Sequence, residues 1–311
     1  MACCKGYSLV SGGLDSRLAV CVLREAGAYV EGVCFEAPFF SADKAREAAE
    51  QLDIKLHVID FTADEIALIK NPPHGFGGAM NPCIDCHATM IRRAGEMMTS
   101  NGFDFVATGE VLNQRPMSQN KQSLGVVEKS SGLSGRLVRP LSAKLLEPTI
   151  PEVQGLLDRE KLLALHGRRR EDQLSLAARF GLKDFPSPAG GCKLTEEGYG
   201  RRIKDLMEHE GLDDIRLVRL LNTGRRFRLP NGASLILGRN AIENETLAKA
   251  AAVGDVVIGP PKGIMGPDAL IPRGANDSDM RLAHEIVLAW SRPSEGSEPI
   301  PRDPYLQYQI L

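Results

Sequence analysis

Hydrophobic residues recur along the first half of the chain in two alternating textures. Short, nearly continuous apolar runs at Gly6 to Val10, Val30 to Phe35, Ile54 to Ile59 and Phe103 to Ala107 read as strands buried on both faces. Between them stand stretches with helical spacing: Ser16 to Ala26, with Leu18, Val22 and Leu23 on one face, the Ala/Glu/Lys-rich Ala42 to Leu52, and His87 to Ser100. That alternation predicts βαβ units on a parallel sheet, an α/β fold. Leu137 to Leu141 reads as a fifth strand, Asn71 to Asp85 as irregular, and Pro148 to Phe180 as largely helical with a basic run at Arg168-Arg169-Arg170. Such a sheet binds ligands at the carboxyl ends of its strands, so the loops after Val10, Phe35 and Ala107 are the expected seat of chemistry.

Two prolines and two glycines between Pro186 and Cys192 break this pattern and place a boundary just beyond it. Past it, Phe227 to Leu237 forms two alternating segments joined through Asn231-Gly232, a hairpin signal. Helical patterns at Ala241 to Ala252 and Asp279 to Trp290 complete a small α+β module. Ser291 to Leu311 is rich in Pro, Ser and Glu and reads as an extended tail. The expected divisions are an α/β domain over residues 1–195, a small α+β domain over 196–293 and a tail over 294–311.

Composition narrows the class without choosing within it. With 43% hydrophobic and 25% charged residues, fibrous and disordered classes are excluded. Lys and Arg number 38 against 40 Asp and Glu, so any basic footprint for nucleic acid must be local. No apolar run approaches the ~18 residues of a membrane span, and the N-terminal residues carry no apolar leader, which points to a cytoplasmic protein with no membrane partner. Seven cysteines, an odd number without a secretory signal, argue for thiols used as ligands or nucleophiles. Cys21 and Cys34 fall in apolar segments and read as buried hydrophobes, and Cys3 and Cys4 at the chain end are given no role. Cys83, Cys86 and Cys192 lie in polar stretches broken by Gly and Pro.

Ser11-Gly12-Gly13-Leu14-Asp15-Ser16 follows the first strand and opens the first helix. Two glycines admit a polyphosphate close to backbone N–H groups, the helix N-terminus favours negative charge, and the hydroxyls of Ser11 and Ser16 add donors. Asp15 is anionic and cannot favour phosphates directly, so its expected task is to hold the Mg2+ that neutralises them. The stretch resembles the PP-loop of the ATP pyrophosphatases, whose domain is of the Rossmann-like adenine nucleotide alpha hydrolase type, with helices on both faces of a parallel sheet. The resemblance implies ATP as cofactor, adenylation with release of pyrophosphate, and a nucleotide near Glu36 to Phe39.

Two further stretches, Asn81-Pro82-Cys83-Ile84-Asp85-Cys86-His87 and Ala107-Thr108-Gly109-Glu110-Val111-Leu112-Asn113-Gln114, resemble the tRNA thiouridine synthetases. With Ser118-Gln119, the second is similar to the 4-thiouridine type and implies that Thr108 and Gly109 belong to the nucleotide site. Together with Cys192, the cysteines resemble those of iron-sulphur-dependent thiolases, which implies a [4Fe-4S] cluster on Cys83, Cys86 and Cys192. The residues alone leave more open. A Cys-x-x-Cys pair suits zinc, redox chemistry or iron-sulphur ligation, and no second close pair follows it. Three thiolates on a cube leave one iron free to bind sulphide. In the rival arrangement Cys192 carries a persulphide that Cys86 releases by disulphide exchange. His87 is read as a helix residue facing solvent.

From Gly198 to Arg239 nine Arg and Lys stand against five acids. Asn222 to Gly232 and Leu237 to Asn244 resemble the small RNA-binding module of ribosome-quality-control proteins, over about Leu221 to Trp290. Arg225, Arg226, Arg228 and Arg239 around the hairpin are the expected phosphate contacts. These readings combine into an ATP-dependent tRNA sulphurtransferase with Asp15, Cys86 and Cys192 as catalytic residues, tRNA as substrate and sulphide or a persulphide carrier as donor. The alternatives are a PP-loop enzyme that acts on a small molecule and a non-catalytic RNA-binding factor with a regulatory nucleotide domain.

Overall fold

The computed structural model describes residues 4–115, 118–187, 191–292 and 298–311. The chain divides into two compact units, residues 1–77 with 81–193, and residues 78–80 with 194–311. In the first unit the order is β1 (Lys5–Leu9), α1 (Leu14–Glu25), β2 (Tyr29–Glu36), α2 (Asp43–Leu52), β3 (Leu56–Asp60), α3 (Thr62–Lys70), α4 (Cys83–Ser100), β4 (Phe105–Ala107), α5 (Lys121–Ser131), β5 (Leu137–Val138), α6 (Ile150–Val153) and α7 (Glu171–Arg179). The strands form one sheet in the order β3-β2-β1-β4-β5, and every pairing is parallel.

Alternate residues of each strand enter different apolar clusters, as two-faced burial requires. Cys34, Phe105 and Ala107 join Leu18, Val22 and Ala48 on one face. Val33, Phe35 and Val106 join Ile91, Ala94 and Val127 on the other. The sheet is therefore the Rossmann-like, doubly covered sheet expected from the apolar runs. The connection from β1 leads outward to β2, whereas β4 sits on β1's other edge. The strand order thus reverses between β1 and β4, where open α/β sheets bind ligands.

Several local expectations change. α4 begins at Cys83 rather than His87, so Cys83 and Cys86 occupy the first turn of a helix, three residues apart and on one face. Helices α3 and α5 were not foreseen. Residues 148–180, expected to be largely helical, carry only α6, a short 3-10 turn at Arg159–Lys161 and α7. Pro148, Pro151, Gly155 and Gly167 interrupt what the apolar spacing suggests. Cys4 is not a frayed end residue, since it is 2% exposed within the core. Cys3 lies outside the described residues.

The second unit holds α8 (Glu197–His209), α9 (Ile215–Arg219), β6 (Arg225–Arg228), β7 (Ser234–Leu237), α10 (Ala241–Ala250), β8 (Val256–Ile258), β9 (Ala269–Ile271), α11 (Asp277–Trp290), α12 (Asp303–Leu306) and β10 (Gln309–Ile310). Its sheet is antiparallel in the order β10-β6-β7-β9-β8. The β6–β7 hairpin turns through Leu229-Pro-Asn-Gly232, where Gly232 takes φ +95° and its N–H donates to the Leu229 carbonyl. The extended tail expected over 294–311 is corrected in its described part. Tyr305 and Tyr308 pack on the unit's core, and β10 pairs with β6. Among the described residues no helix is long and apolar enough to cross a membrane.

Candidate functional site

Gly12 is required twice over. Its φ is +81°, and a Cβ there would stand 2.2 Å from the backbone oxygen of Lys44 on α2. The loop is therefore pressed against α2, while Gly13, the residue before α1, has no side-chain cap and leaves the first amides of α1 unpaired within the helix. Arg17, 2% exposed, fastens the loop from behind: its Nε donates to the Gly12 carbonyl at 3.1 Å and its Nη1 to Gln51 Oε1 at 2.5 Å. Sequence reading missed Arg17, although a charge among the apolar positions of a helix signals it.

Of the two hydroxyls expected to face phosphate, that of Ser16 is turned inward, whereas Ser11 stays exposed. Ser16 Oγ donates to the Gly13 carbonyl at 2.8 Å, and Ser11 Oγ donates to Ser16 Oγ at 3.5 Å. Asp15, by contrast, reaches out of α1. Gln114 Nε2 donates to its Oδ2 at 2.8 Å, and Gln173 Nε2 donates to Gln114 Oε1 at 3.2 Å. Arg170 Nη2 stands 3.9 Å from Asp15 Oδ1, an atom that is buried without a hydrogen-bond partner among the described residues. A carboxylate oxygen stripped of water and of donors is costly, which fits a place for a cation.

The loop after β4 lies against the same turn. A Cβ on Gly109 would meet Asp15 backbone atoms at 2.6 Å, so only glycine lets the two strand ends touch. Thr108 takes a different part from the one expected, because its Oγ1 donates to Glu110 Oε2 at 2.9 Å and it is 5% exposed. Arg139 Nε donates to the same Glu110 oxygen at 3.0 Å, and Arg139 Nη1 to Glu128 at 2.9 Å. Burial opposes ionisation of Glu110, but His87 and Arg139 outweigh it and bring its pKa to about 2. His87 thus faces Glu110, 3.7 Å from Oε1, and not solvent alone as expected.

The three cysteines are brought together in the first unit. The Cys86 thiol is pushed well above its ordinary pKa by burial first and then by the Glu65 carboxylate, with Cys192 and Cys83 adding to the effect. Glu65 is 1% exposed and shares a hydrogen bond with Cys86; burial raises its own pKa to about 7. Asn81 Nδ2 donates to Cys83 Sγ at 3.1 Å. Asp85, between the two cysteines, accepts from His74 N at 3.0 Å and contacts His74 Nδ1 at 2.6 Å, which pins the irregular segment before α4. Next to Cys192, Lys193 N donates to the Phe39 carbonyl at 3.0 Å, so Cys192 follows the loop after β2. The donor set suits a cluster or a persulphide relay in kind. Among the described residues, no group of three or more His, Cys, Asp or Glu stands arranged to hold a metal ion.

In the second unit the four arginines divide. Arg226 is 1% exposed, and burial lowers its pKa to about 10. Arg228 Nε and Nη2 donate to Asp205 at 3.1 and 2.6 Å, and Nη1 and Nη2 to Glu210 at 2.6 and 2.9 Å. These two correct the expectation of phosphate contacts, because one side chain is inside the core and the other is neutralised by the protein's own carboxylates. Arg239 pairs with Glu243 but remains 45% exposed. Arg225 is half-buried, with no carboxylate at ion-pair distance among the described residues; burial lowers its pKa, and the charges of Arg302 and Arg239 add to this.

Residues 2–144 match the family described as Thiamine biosynthesis protein (ThiI), and residues 224–299 match the NFACT protein RNA binding domain. The chain thus joins a ThiI-like segment to an NFACT-like RNA-binding segment. It is 31% identical over 146 residues to a probable tRNA sulfurtransferase of Thermoanaerobacter sp. (strain X514), covering 44% of this chain and 36% of the relative. It is 35% identical over 115 residues to the tRNA-specific 2-thiouridylase MnmA of Sulfurimonas denitrificans, covering 33% of each. A solved 4-thiouridine synthetase in complex with RNA and ATP overlaps 69% of this chain and 52% of its own, at 18% identity and a TM-score of 0.42. The chain spans about a third of the length of the curated relatives it matches.

Proposed function

We propose that the protein is an ATP-dependent tRNA sulphurtransferase. The observation that carries this reading is that one unit holds a PP-loop with the Gly109 turn against it and three cysteines near enough for charge on one to affect another, in a chain that also has an NFACT-like RNA-binding segment. A uridine carbonyl is a poor electrophile. When its oxygen attacks the α-phosphorus of ATP, pyrophosphate leaves and the oxygen becomes part of an AMP leaving group. Sulphur then adds to the ring carbon, and AMP departs with the former carbonyl oxygen.

The free amides at the start of α1 would hold the phosphates, and Asp15, with its unpartnered Oδ1, would hold Mg2+. Cys83, Cys86 and Cys192 are the thiols that would hold a [4Fe-4S] cluster, which when bound supplies an iron without a protein ligand. A second reading is favoured by the Glu65 carboxyl hydrogen-bonded to Cys86, a proton acceptor beside the thiol. Here Cys192 bears a persulphide whose outer sulphur is transferred, and Cys86, losing its proton to Glu65, closes a disulphide with Cys192 that an external thiol reductant reopens. Arg225 and Arg239 are the phosphate contacts for tRNA. Mass-spectrometric profiling of thionucleosides in bulk tRNA tests the activity. The expected result is a thiouridine that disappears on gene deletion and returns with the wild type but not with Cys192→Ala; an unchanged profile would overturn tRNA thiolation. Iron and sulphide content of purified wild type against Cys192→Ala separates the two sulphur routes.

A further inference from the structure

Arg302, the residue before α12, lies beyond the NFACT-like segment of residues 224–299, in the stretch whose composition reads as a tail. Its place follows from the packing on one face of β6. Successive residues of a strand face opposite ways, so Arg225 and Phe227 share one face and Arg226 and Arg228 the other. On the second face α8 holds Arg228 through Asp205. On the first, Trp290 of α11 packs edge-on against Phe227, with ring centroids 5.4 Å apart. Arg302 lies on Trp290 in turn: its guanidinium carbon is 5.4 Å from the ring centroid, and its Nε donates to the Ala289 carbonyl at 3.1 Å. Arg302 and Arg225 are therefore on the same side of the sheet. Arg239 joins them from beyond β7, since Leu237 stands opposite Arg225 in the register and Arg239 Nη2 donates to the Asn222 carbonyl at 3.4 Å.

The three guanidinium groups are close enough that the charges of Arg302 and Arg239 add to burial in lowering the pKa of Arg225. Glu243 is the carboxylate that acts on Arg225, and it is already engaged by Arg239, whose Nε donates to its Oε1 at 2.9 Å. One acid against three cations leaves the place positive. Among the described residues the Arg225 side chain makes no hydrogen bond, and the exposed Arg302 is bonded through Nε alone. The Trp290 ring and the Ala289 carbonyl orient the Arg302 fork without neutralising it. Like charges gathered at such range repel one another unless an anion comes between them. An RNA backbone supplies a row of such anions, and a guanidinium fork binds phosphate oxygens in pairs.

Resting on the reading of the second unit as an RNA-binding segment, we propose that Arg302 completes a phosphate-binding site with Arg225 and Arg239, which makes the tail part of the surface that holds the RNA backbone. The site takes adjacent phosphates of one strand, so it contributes affinity and orientation, not base selection.

The test is equilibrium binding of tRNA to the full chain over a range of salt concentrations, with thermal unfolding as a control. The proteins compared are wild type, Arg302→Gln, Arg302→Met and Lys204→Gln, the last removing an exposed charge on α8, across the sheet. Each Arg302 variant is expected to lower the slope of log affinity against log salt by about 1 and to weaken binding about 3- to 10-fold near physiological salt. Arg302→Met keeps an apolar stem over Trp290 and carries the test should Arg302→Gln fail to fold. Lys204→Gln is expected to leave the slope within about 0.3 of wild type. A wild-type slope in both Arg302 variants would overturn the role of the tail and leave Arg225 and Arg239 standing. An equal loss of slope in Lys204→Gln would make the effect one of net charge and also overturn it. A wild type that binds no tRNA would overturn the RNA reading, and this inference with it.

Discussion

At the start of α1, Asp15 keeps one carboxylate oxygen without a hydrogen-bond partner among the described residues, whereas on β6 all three nitrogens of Arg228 are taken up by Asp205, Glu210 and the Gly232 carbonyl. Both residues are charged, both sit at strand ends or helix starts, and both belong to stretches that resemble ligand-binding families. Their surroundings separate them. Arg228 is matched from within, so its charge is spent on joining α8 to the hairpin. Asp15 is matched incompletely, by an amide and a distant guanidinium, so part of its capacity is left for something the chain does not supply. The lesson is that a charge is available to a ligand to the extent that its own protein leaves it unsatisfied.

The largest expected effect tests that contrast from the first unit. Asp15→Ala should slow pyrophosphate release about a thousandfold while unfolding in urea stays within about 1 kcal/mol of wild type. A large loss of stability would break the contrast, since Asp15 would then be structural. Arg228→Gln should do the opposite, destabilising the second unit by about 2–3 kcal/mol because Asp205 and Glu210 would stay partly buried without their partner. A stability change below about 1 kcal/mol would return Arg228 to the list of residues free for RNA.

Glu110 sharpens the comparison through pH, being a matched charge inside the first unit. Its folded pKa is about 2 against an ordinary 4.5, so the ionised form is favoured in the fold. The resulting stability, roughly 3 kcal/mol, is present above about pH 4.5 and is lost as pH falls through 2. Glu110→Gln should flatten the acid limb of a stability-against-pH curve, and an unchanged limb would count against the Arg139 and His87 contacts as its cause. The smallest effect belongs to Arg225: Arg225→Gln should lower the slope of log affinity for tRNA against log salt by about 1, and Arg226→Met should leave that slope alone.

The strands of the first sheet were legible because they are apolar on both faces, and a run such as Val33 to Phe35 has no competing reading once Gly and polar residues bound it. Helix α5 was not legible. Lys121–Ser131 contains Gly125 and three serines, poor helix formers, and it is held by Leu124 and Val127 packing in the core and by the Asn120 side chain capping Ser123 N. The tail was misread for a similar reason: Pro and Ser lead its composition, while Trp290 beside Tyr305 and the β10 pairing with β6 decide its path. Arg17 and Arg170 went unassigned because nothing in their neighbours along the chain tells which loop they fasten or face.

By itself the sequence determined what depends on near neighbours along the chain: the period of burial, the glycines that let the PP-loop turn, the Cys83-x-x-Cys86 spacing and the Asn-Gly hairpin. Only the tertiary structure decided which charges are spent. Arg225, Arg226 and Arg228 are nearly identical in sequence context, but one has no carboxylate at ion-pair distance among the described residues, one lies in the core and one is locked by two acids from another helix and its end. The reason is physical: the free energy of a charge depends on its distance from other charges and from water, and both are set by residues far away along the chain.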